Sequence, residues 1–140
     1  MTLADSSQSF GLRYMQLDIS RETAHDLPGV SFTNSFKVRE FVSQISSNET
    51  GMVCFLKVSF DDPKALDESN PAIELLEVLS QTNNAALIKA QTLGPLPRIF
   101  STNEEVWWIS PTYVSRNGMK ITLKGTSKGM RSVREELYKL

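Results

Sequence analysis

The stretch that decides the fold is residues 106–140, VWWISPTYVSRNGMKITLKGTSKGMRSVREELYKL. Within it, Asn117-Gly118 predicts a hairpin, because both central residues of a type I′ turn need a positive φ. Tyr113 and Val114, before the turn, are strand formers. After the turn, apolar residues alternate with lysine and threonine over residues 119–124, which is the period of a half-buried strand.

A helix is predicted directly after this hairpin. Gly125 ends the second strand, and Thr126 or Ser127 can cap the helix that follows. A helix that buries an apolar stripe on a strand pair makes an α+β layer. The stripe consists of residues three or four positions apart, namely Met130, Val133, Leu137 and Leu140.

Residues 109–137 resemble the segment ahead of the DNA-binding part in archaeal regulators of the bacterio-opsin-activator type. The similar features are the Ser110-Pro111 pair, the Asn117-Gly118 turn, the strand end at Gly125 and the helix that carries Val133 and Leu137. The layout of the upstream segments is similar as well. The resemblance therefore covers most of the chain after residue 10.

This resemblance implies a regulatory domain that precedes a C-terminal helix-turn-helix. The chain departs from the family pattern because no helix-turn-helix follows within its 140 residues. The last helix also reaches Leu140 without a glycine, asparagine or proline that would end it. We therefore expect an N-terminal portion of a longer regulator, which would bind DNA only through its missing C-terminal part.

The rest of the chain predicts further strands and short helices. Strands are predicted at residues 12–19, in a hairpin over 35–60 and in a second hairpin over 75–92. Residues 30–45 fit a strand or a helix, and their β-branched and aromatic content favours the strand. The predicted short helices are 24–27, 63–68 and 71–76, the last with Pro71 at its start and Asn70 as its cap. Residues 94–97, GPLP, are expected to cross over to the last hairpin.

The fold class that follows is α+β. We expect a mostly antiparallel sheet of about seven strands with two or three helices, in a ferredoxin-like or ACT-like sandwich. A chain of 140 residues can bury one core, so residues 11–140 are expected to form a single domain. Residues 1–10 are small and polar, and a disordered tail is expected there.

The composition restricts the classes of protein. Hydrophobic and charged contents of 40% and 22% are typical of a globular protein, and the net charge of −1 lacks the basic excess of a nucleic-acid binder. One cysteine cannot form an internal disulfide, and residues 1–10 do not have the pattern of a secretory signal. No apolar run reaches the length of a membrane span. We therefore expect a cytoplasmic protein with no membrane partner.

Few residues are candidates for catalysis. Nucleophilic catalysis would need Cys54 close to His25 in space, yet Cys54 lies in the most apolar strand, where a thiol behaves as a small hydrophobic group. One cysteine and one histidine cannot build a four-ligand zinc site, and phosphate-binding glycine fingerprints are absent. Neither an enzyme nor a cofactor is expected. An enzyme whose polar residues converge only in the fold is the least favoured alternative.

Trp107-Trp108 is the most unusual feature of the sequence. Neighbouring residues of a strand face opposite sides of the sheet, so one layer of helices would cover only one of the two indoles. The other would be partly covered surface, line a ligand groove or meet a second copy of the chain. Phe100 and Tyr113 are expected as aromatic neighbours, and Arg98 as an anion-binding residue. The candidate ligand-binding residues are thus Trp107, Trp108, Tyr113 and Arg98.

Two functions remain open from the sequence. The first is a regulatory domain that senses a small molecule or interacts with a partner. The second is a free-standing module that binds a small molecule or a protein, including another copy of itself.

Overall fold

The structure, a computed structural model, describes residues 2–7, 11–25, 36–69 and 72–139. Within these residues one sheet is formed by β1 (Thr2–Ser7), β2 (Leu12–Ser20), β3 (Val38–Ser47), β4 (Met52–Ser59), β5 (Ile73–Gln81), β6 (Ala85–Thr92), β7 (Val106–Ser115) and β8 (Gly118–Thr126). The helices are α1 (Arg21–His25), α2 (Pro95–Ser101) and α3 (Ser127–Leu137), with a 3-10 helix at Pro63–Asp67.

All strand pairs of this sheet are antiparallel, in the order β1-β2-β8-β7-β3-β4-β6-β5. The predicted α+β class with a mostly antiparallel sheet is therefore confirmed. β2, near the start of the chain, pairs with β8 along its whole length, from Leu12↔Thr126 to Ser20↔Gly118. No helix of the described residues has both the length and the apolar character needed to cross a membrane.

The N-terminal segment differs from the tail expected over residues 1–10. Thr2–Ser7 form β1, which pairs with β2 from Thr2↔Asp18 to Ser7↔Arg13. Strands pair through main-chain hydrogen bonds, so a short polar segment can add to a strand edge without apolar side chains. Composition does not reveal such a pairing. Residues 1 and 8–10 lie outside the described part of the chain.

The sheet consists of two half-sheets joined at a narrow junction. β3 and β7 pair over three residues of each strand, 38–40 with 113–115. The first half-sheet comprises β1, β2, β8 and β7, and the second comprises β3, β4, β6 and β5. Because the junction is so short, most of β3 and most of β7 lie beyond it without pairing to each other.

Each half-sheet has its own hydrophobic cluster. The helix-covered cluster joins α2 and α3 to the first half-sheet, and its buried residues are Met15, Leu17, Ile19, Leu96, Ile99, Phe100, Val106, Ile121, Leu123, Met130, Val133 and Leu137. The four-strand cluster belongs to the second half-sheet and the 3-10 helix, and its buried residues are Phe36, Phe41, Met52, Cys54, Leu56, Val58, Phe60, Ala65, Leu66, Ile73, Ala86, Ile88 and Ala90. Trp108 packs against both clusters.

The predicted C-terminal hairpin and helix are confirmed, with one shift in the turn. Ser115 pairs with Gly118, so the two connecting residues are Arg116 and Asn117, one position earlier than predicted. Gly118 has a φ of 135°, and a side chain there would collide with the main-chain oxygen of Ile19. Glycine at this position therefore lets the hairpin lie close against β2.

Helix α3 begins and packs as its sequence predicts. Thr126 is the N-cap, and its Oγ1 accepts a hydrogen bond from the Gly129 N–H at 3.0 Å. Met130, Val133 and Leu137 of the predicted stripe are buried in the helix-covered cluster. The fourth residue of the stripe, Leu140, lies outside the described residues.

Other predicted elements agree in type, with shifted bounds. The strand predicted at 12–19 is β2, and the two predicted hairpins are β3 with β4 and β5 with β6. The helix predicted at 63–68 is the 3-10 helix, with Asp62 as its cap. The helix predicted at 24–27 overlaps α1, which starts earlier, and its last two residues lie outside the described part.

Two segments differ in type from the prediction. The helix predicted at 71–76 is wrong from Ile73 onward, where β5 begins; Asn70 and Pro71 lie outside the described residues. The expected crossover at 94–97 instead contains the start of α2, preceded by Gly94 with a φ of 105°. Proline suits the first turn of a helix, because a main-chain N–H at that position has no acceptor within the helix and proline lacks this group.

Both long outer strands of the second half-sheet carry bulges. The pairing of β3 with β4 shifts after Phe41 and after Gln44, and that of β5 with β6 shifts after Leu75 and after Val78. Each shift leaves one extra residue opposite the partner strand. The four extra residues are all apolar and exposed, namely Val42, Ile45, Leu76 and Leu79. A bulge at every third residue converts the two-residue period of a strand into a spacing that resembles a helix.

Candidate ligand-binding cavity

A cavity of about 80 Å³ lies beside the junction of the two half-sheets and is partly open to solvent. Its walls come from β3, β4, β7 and β8, together with the residues at the starts of β5 and α2 and at the end of β6. Most of the lining side chains are apolar, among them Phe41, Leu56, Leu96, Val114 and Ile121. Concave apolar sites with a few polar groups are where proteins bind small molecules.

Trp108 is the wall residue that links the two half-sheets. Its ring meets Phe41 of β3 and Phe100 of α2 edge-on, with ring centroids 5.5 Å apart in each pair. Edge-on aromatic pairs at this distance stabilise by roughly 0.5–1.5 kcal/mol beyond the area they bury. Phe100 is one of the two aromatic neighbours that the sequence predicts, the other being Tyr113, and Phe41 was not foreseen.

The indole N–H of Trp108 is buried and has no hydrogen-bond acceptor among the described residues. An indole nitrogen can only donate, and buried donors are nearly always paired in native proteins. Leaving such a donor unpaired costs roughly 1–3 kcal/mol. Trp108 is therefore a cavity-lining residue whose polar atom stays unpaired among the described residues.

Side-chain hydrogen bonds hold the part of β7 that follows Trp108. The pairing with β8 is interrupted after Ile109, at Ser110-Pro111, whose peptide bond is cis and whose proline has no N–H for the ladder. Thr112 Oγ1 donates to the Ile109 carbonyl at 2.7 Å and accepts from the Thr122 N–H at 3.0 Å. Thr122 Oγ1 donates to the Pro111 carbonyl at 2.6 Å. These bonds replace the missing ladder and fix the wall on this side.

Arg39 is the charged residue among the described residues that line the cavity. It is 8% exposed, and burial lowers its pKa to about 10, so the guanidinium is still protonated at neutral pH. Arg39 and Phe41 are two positions apart on β3, so their side chains share one face of the sheet. Because Phe41 contacts Trp108, the charge and the indole belong to the same wall region.

Sequence reasoning missed Arg39 because residues 30–45 have no fixed apolar period. A strict strand reading of Val38 to Phe41 would have placed Arg39 on the same face as Phe41. An arginine on an inward face is unusual, since burying a charge is costly. An arginine on the same strand face as Phe41 was therefore the signal in the sequence that could have identified Arg39.

The four predicted ligand-binding residues fall into two groups. Trp108 and Tyr113 line the cavity. Trp107 is 38% exposed on the other face of the sheet, where it pairs with Lys124 of β8. Arg98 is exposed on α2 and does not line the cavity. Side chains alternate along a strand, so the sequence predicted that the two tryptophans face opposite sides of the sheet. The place of Arg98 was not predictable, because residues 94–97 were expected to form a crossover and not the start of a helix.

The other candidates for chemistry lie apart from the cavity. Cys54 is fully buried in β4, and burial raises the pKa of its thiol to about 12, which disfavours the reactive thiolate. Among the described residues no group of three or more histidine, cysteine, aspartate or glutamate side chains could hold a metal ion. The side chain of His25 lies outside the described part. The cavity itself offers mostly apolar surface.

No protein-family model, curated protein or solved structure matches the chain. The likeness of residues 109–137 to bacterio-opsin-activator-type regulators therefore stays a prediction. The cavity and its residues are the basis for assigning a function.

Proposed function

We propose that this chain is the ligand-sensing regulatory domain of an archaeal transcription regulator of the bacterio-opsin-activator type. Its ligand is a small molecule bound in the cavity between the two half-sheets. The observation that carries the ligand-sensing part is an apolar cavity whose walls come from both half-sheets and include Trp108. The regulator family rests on the resemblance of residues 109–137 alone.

The position of the cavity suits a sensor. A ligand there would touch β3 and β4 of one half-sheet and β7 and β8 of the other, which are joined at a short junction. Leu96 at the start of α2 is also a wall residue, and it shares the helix-covered cluster with Met130 of α3. A ligand that binds one arrangement of these elements more tightly shifts the population toward that arrangement. Helix α3, the last element described, would pass the change toward the C-terminal side.

The finer expectations belong to the same proposal. A ferredoxin-like or ACT-like sandwich is supported by α2 and α3, which both pack on one face of the first half-sheet. A cytoplasmic location agrees with the single buried Cys54, which is kept as a free thiol. DNA binding is assigned to another part of the regulator, because Glu135 and Glu136 interrupt the basic residues of α3.

The ligand site is tested by nuclear magnetic resonance with a panel of small neutral and charged organic molecules. The chain has two tryptophans, so its spectrum holds two indole N–H signals, and Trp107→Phe assigns them. We expect at least one compound to move the Trp108 signal while the Trp107 signal stays in place. A panel that leaves the Trp108 signal unmoved throughout would contradict the ligand-sensing role.

Two valine variants provide a matched control for that experiment. Val114 lines the cavity, and Val114→Phe should fill part of it and weaken binding of every compound that moved the Trp108 signal. Val42 is exposed on a bulge of β3 and does not line the cavity, so Val42→Phe should leave binding unchanged. Equal effects of the two variants would place the ligand elsewhere.

The division between sensing and DNA binding is tested by titrating duplex DNA into the 140-residue chain near physiological salt. We expect no binding in the micromolar range, since tight phosphate binding needs clustered lysine and arginine. Micromolar or tighter binding that weakens steeply with added salt would make this domain a DNA-binding module itself. Reading the coding sequence beyond Leu140 for a helix-turn-helix tests the regulator assignment independently.

A second candidate function is a module for protein interaction or self-association. The observation that favours it is β5, whose outer edge is unpaired within the described residues and whose Leu75, Leu76, Val78 and Leu79 are exposed. Unpaired strand edges with apolar side chains promote pairing with another chain. Sedimentation of the chain over a range of concentrations distinguishes a monomeric sensor from an associating module.

A further inference from the structure

We propose that the cavity takes a small neutral apolar molecule, a cyclic or branched hydrocarbon group of about five carbon atoms. This ligand would fill the gap between the two hydrophobic clusters and join them into one continuous core. The inference rests on the proposed ligand-sensing function and specifies its ligand class.

The walls of the cavity come from both hydrophobic clusters. Phe41, Leu56 and Ile73 belong to the four-strand cluster. Leu96 and Ile121 belong to the helix-covered cluster. An apolar molecule between them would remove surface of both clusters from water, which is favourable in proportion to the apolar area that is buried. The cavity is therefore a gap in the apolar interior that an apolar ligand can close.

Most polar side chains of the wall already have partners or are turned away from the cavity surface. Thr92 Oγ1 accepts from the Met52 N–H at 3.0 Å and donates to the Met52 carbonyl at 3.2 Å. Thr112 Oγ1 donates within β7 and accepts from β8. Arg39 interacts within the chain, and the indole nitrogen of Trp108 is buried. None of these four side chains requires a polar group from a ligand at the cavity surface.

Tyr113 is the remaining polar side chain of the wall. It is half-buried and also borders a surface hollow together with Asp18 and Lys120. The hydroxyl of a half-buried tyrosine can bond to water, so burial does not force it to pair with a ligand. Tyr113 therefore does not argue for a polar ligand.

The main chain at the start of α2 offers few hydrogen-bond donors. The first turn of a helix normally leaves N–H groups free, which favours anionic ligands. Pro95 and Pro97 line the cavity at this turn and have no N–H. The N–H of Arg98 bonds to the Gly94 carbonyl at 3.3 Å. This side of the cavity therefore lacks most of the donors that an anion would need.

The size of the cavity limits the ligand. A water molecule needs about two to four polar partners, so an apolar cavity holds water weakly, and an apolar group that displaces such water gains affinity. The volume of about 80 Å³ is smaller than the roughly 150 Å³ of an engineered apolar cavity that binds benzene. A hydrocarbon group smaller than benzene suits this partly open space better than a larger ring system or a long fatty chain.

The test compares cyclopentane with tetrahydrofuran, a ring of nearly the same size that carries an acceptor oxygen, and with isobutyrate, a small branched anion. Each is titrated into the full chain at pH 7 and constant ionic strength, and nuclear magnetic resonance follows the methyl signals of Leu56 and Ile121 in the wall. We expect cyclopentane to move both signals and to bind about tenfold or more tightly than tetrahydrofuran, because the ether oxygen would lose its water without gaining a donor. Isobutyrate should bind more weakly still. The methyl signals of Val42, which is exposed and lies outside the cavity, should not move.

Two valine variants show that the cavity itself selects the ligand. Val114 lines the cavity, so Val114→Ala should enlarge it and raise the affinity for cyclohexane relative to cyclopentane about fourfold, as one more buried methylene group implies. Val42→Ala should leave this ratio unchanged. Thermal unfolding of both variants verifies that they fold. If Val114→Ala does not fold, the comparison of the three probes on the unaltered chain still decides the ligand class.

The outcomes separate the ligand class from the sensing function. Equal or tighter binding of tetrahydrofuran or isobutyrate at the Leu56 and Ile121 signals would overturn the apolar inference and leave the sensing function supported. Equal ratios in Val114→Ala and Val42→Ala would place the hydrocarbon outside the cavity and overturn the inference as well. Wall signals that none of the three probes moves would also overturn it, and silence of the whole neutral and charged panel in addition would overturn the sensing function.

Discussion

The two half-sheets differ in how their strands are covered. In the first, α2 and α3 lie on β2 and β8, and the buried Met15, Leu17 and Ile19 of β2 alternate with more accessible residues. In the second, the short 3-10 helix is the helix that packs into the four-strand cluster. Of the nine residues of β5, Ile73 is buried and the other eight are exposed. Where a helix layer selects one face, the strand keeps its two-residue alternation. Where a strand edge is left open, bulges are tolerated and apolar side chains reach the surface.

The inner strands of the two half-sheets are nevertheless equally well buried. Cys54 and Ile88 in the second half-sheet are as inaccessible as Leu17 and Leu123 in the first. The difference therefore lies in the outer strands β3 and β5. Trp108, between the two clusters, is the residue through which one half-sheet can affect the other.

The largest effect is expected for the two tryptophans. Trp108→Ala should lower the free energy of unfolding by about 3–5 kcal/mol, because it removes a large side chain packed against both clusters. Trp107→Ala removes a partly exposed ring and should cost less than about 1 kcal/mol. Urea unfolding followed by far-ultraviolet circular dichroism measures both without relying on tryptophan fluorescence.

The outcome for the tryptophans also decides how the half-sheets are linked. A Trp108→Ala protein that unfolds in two separate steps would show that this ring connects the clusters. Equally severe losses for both variants would mean that the outer face around Trp107 is covered too, which would contradict the comparison.

A moderate effect is expected at Cys54, in the centre of the four-strand cluster. Cys54→Ala should cost about 1–2 kcal/mol, and the native thiol should react slowly with a thiol reagent. Cys54→Ser should cost more than Cys54→Ala, because it buries a hydroxyl among apolar neighbours. Rapid labelling of the native protein would show that the second half-sheet opens readily despite the burial of its inner strands.

The pH dependence of the same thiol follows from its pKa, which burial raises from 9.0 to about 12. Below pH 9 the thiol is neutral in both the folded and the unfolded chain, so its contribution to stability is fully present. As pH rises from 9 toward 12, the unfolded chain loses the proton that the folded chain retains, and stability falls. The unaltered protein should therefore lose stability relative to Cys54→Ala across this window, in unfolding curves measured at several pH values.

The smallest effect on stability is expected at the bulges of β5. Leu76→Thr with Leu79→Thr should change the free energy of unfolding by about 0.5 kcal/mol or less, since both leucines are exposed by more than 40%. The same variant should reduce association at high concentration, because it removes apolar groups beside an open strand edge. Leu123→Thr in the helix-covered cluster is the control, with an expected loss of several kcal/mol. A loss of similar size at Leu76 and Leu79 would show that β5 is covered after all.

The contrast between the half-sheets also explains what the sequence could predict. In β2, β4 and β8 the apolar residues keep the strand period, and the cap Thr126 and the stripe of α3 follow the helix period, so these elements were predictable. The helix predicted at 71–76 came from Pro71 and its cap Asn70, which are local signals. They do not reveal the pairing of Ile73 with Thr92, which makes this segment the start of β5.

The candidate site was predictable in part for the same reason. Trp108 and Tyr113 lie on β7, whose strand character is evident, and both line the cavity. Arg39 lies on β3, where bulges after Phe41 and after Gln44 interrupt the strand period that would have marked the inward face. The cavity itself depends on the contact of two half-sheets whose pairing, residues 38–40 with 113–115, joins segments distant in sequence. No local sequence pattern predicts a pairing between segments so far apart in the chain.

The pairing of β2 with β8 has a consequence for the growing chain on the ribosome. The inner side chains of β2, such as Leu17, have all their described cluster partners beyond β2 itself at residue 96 or later. The second half-sheet, in contrast, is built from neighbours in sequence, which close quickly. During synthesis the four-strand cluster can therefore assemble before β8 has emerged to pair with β2. The domain gains its helix-covered cluster, and with it the finished cavity, only when nearly the whole chain has emerged.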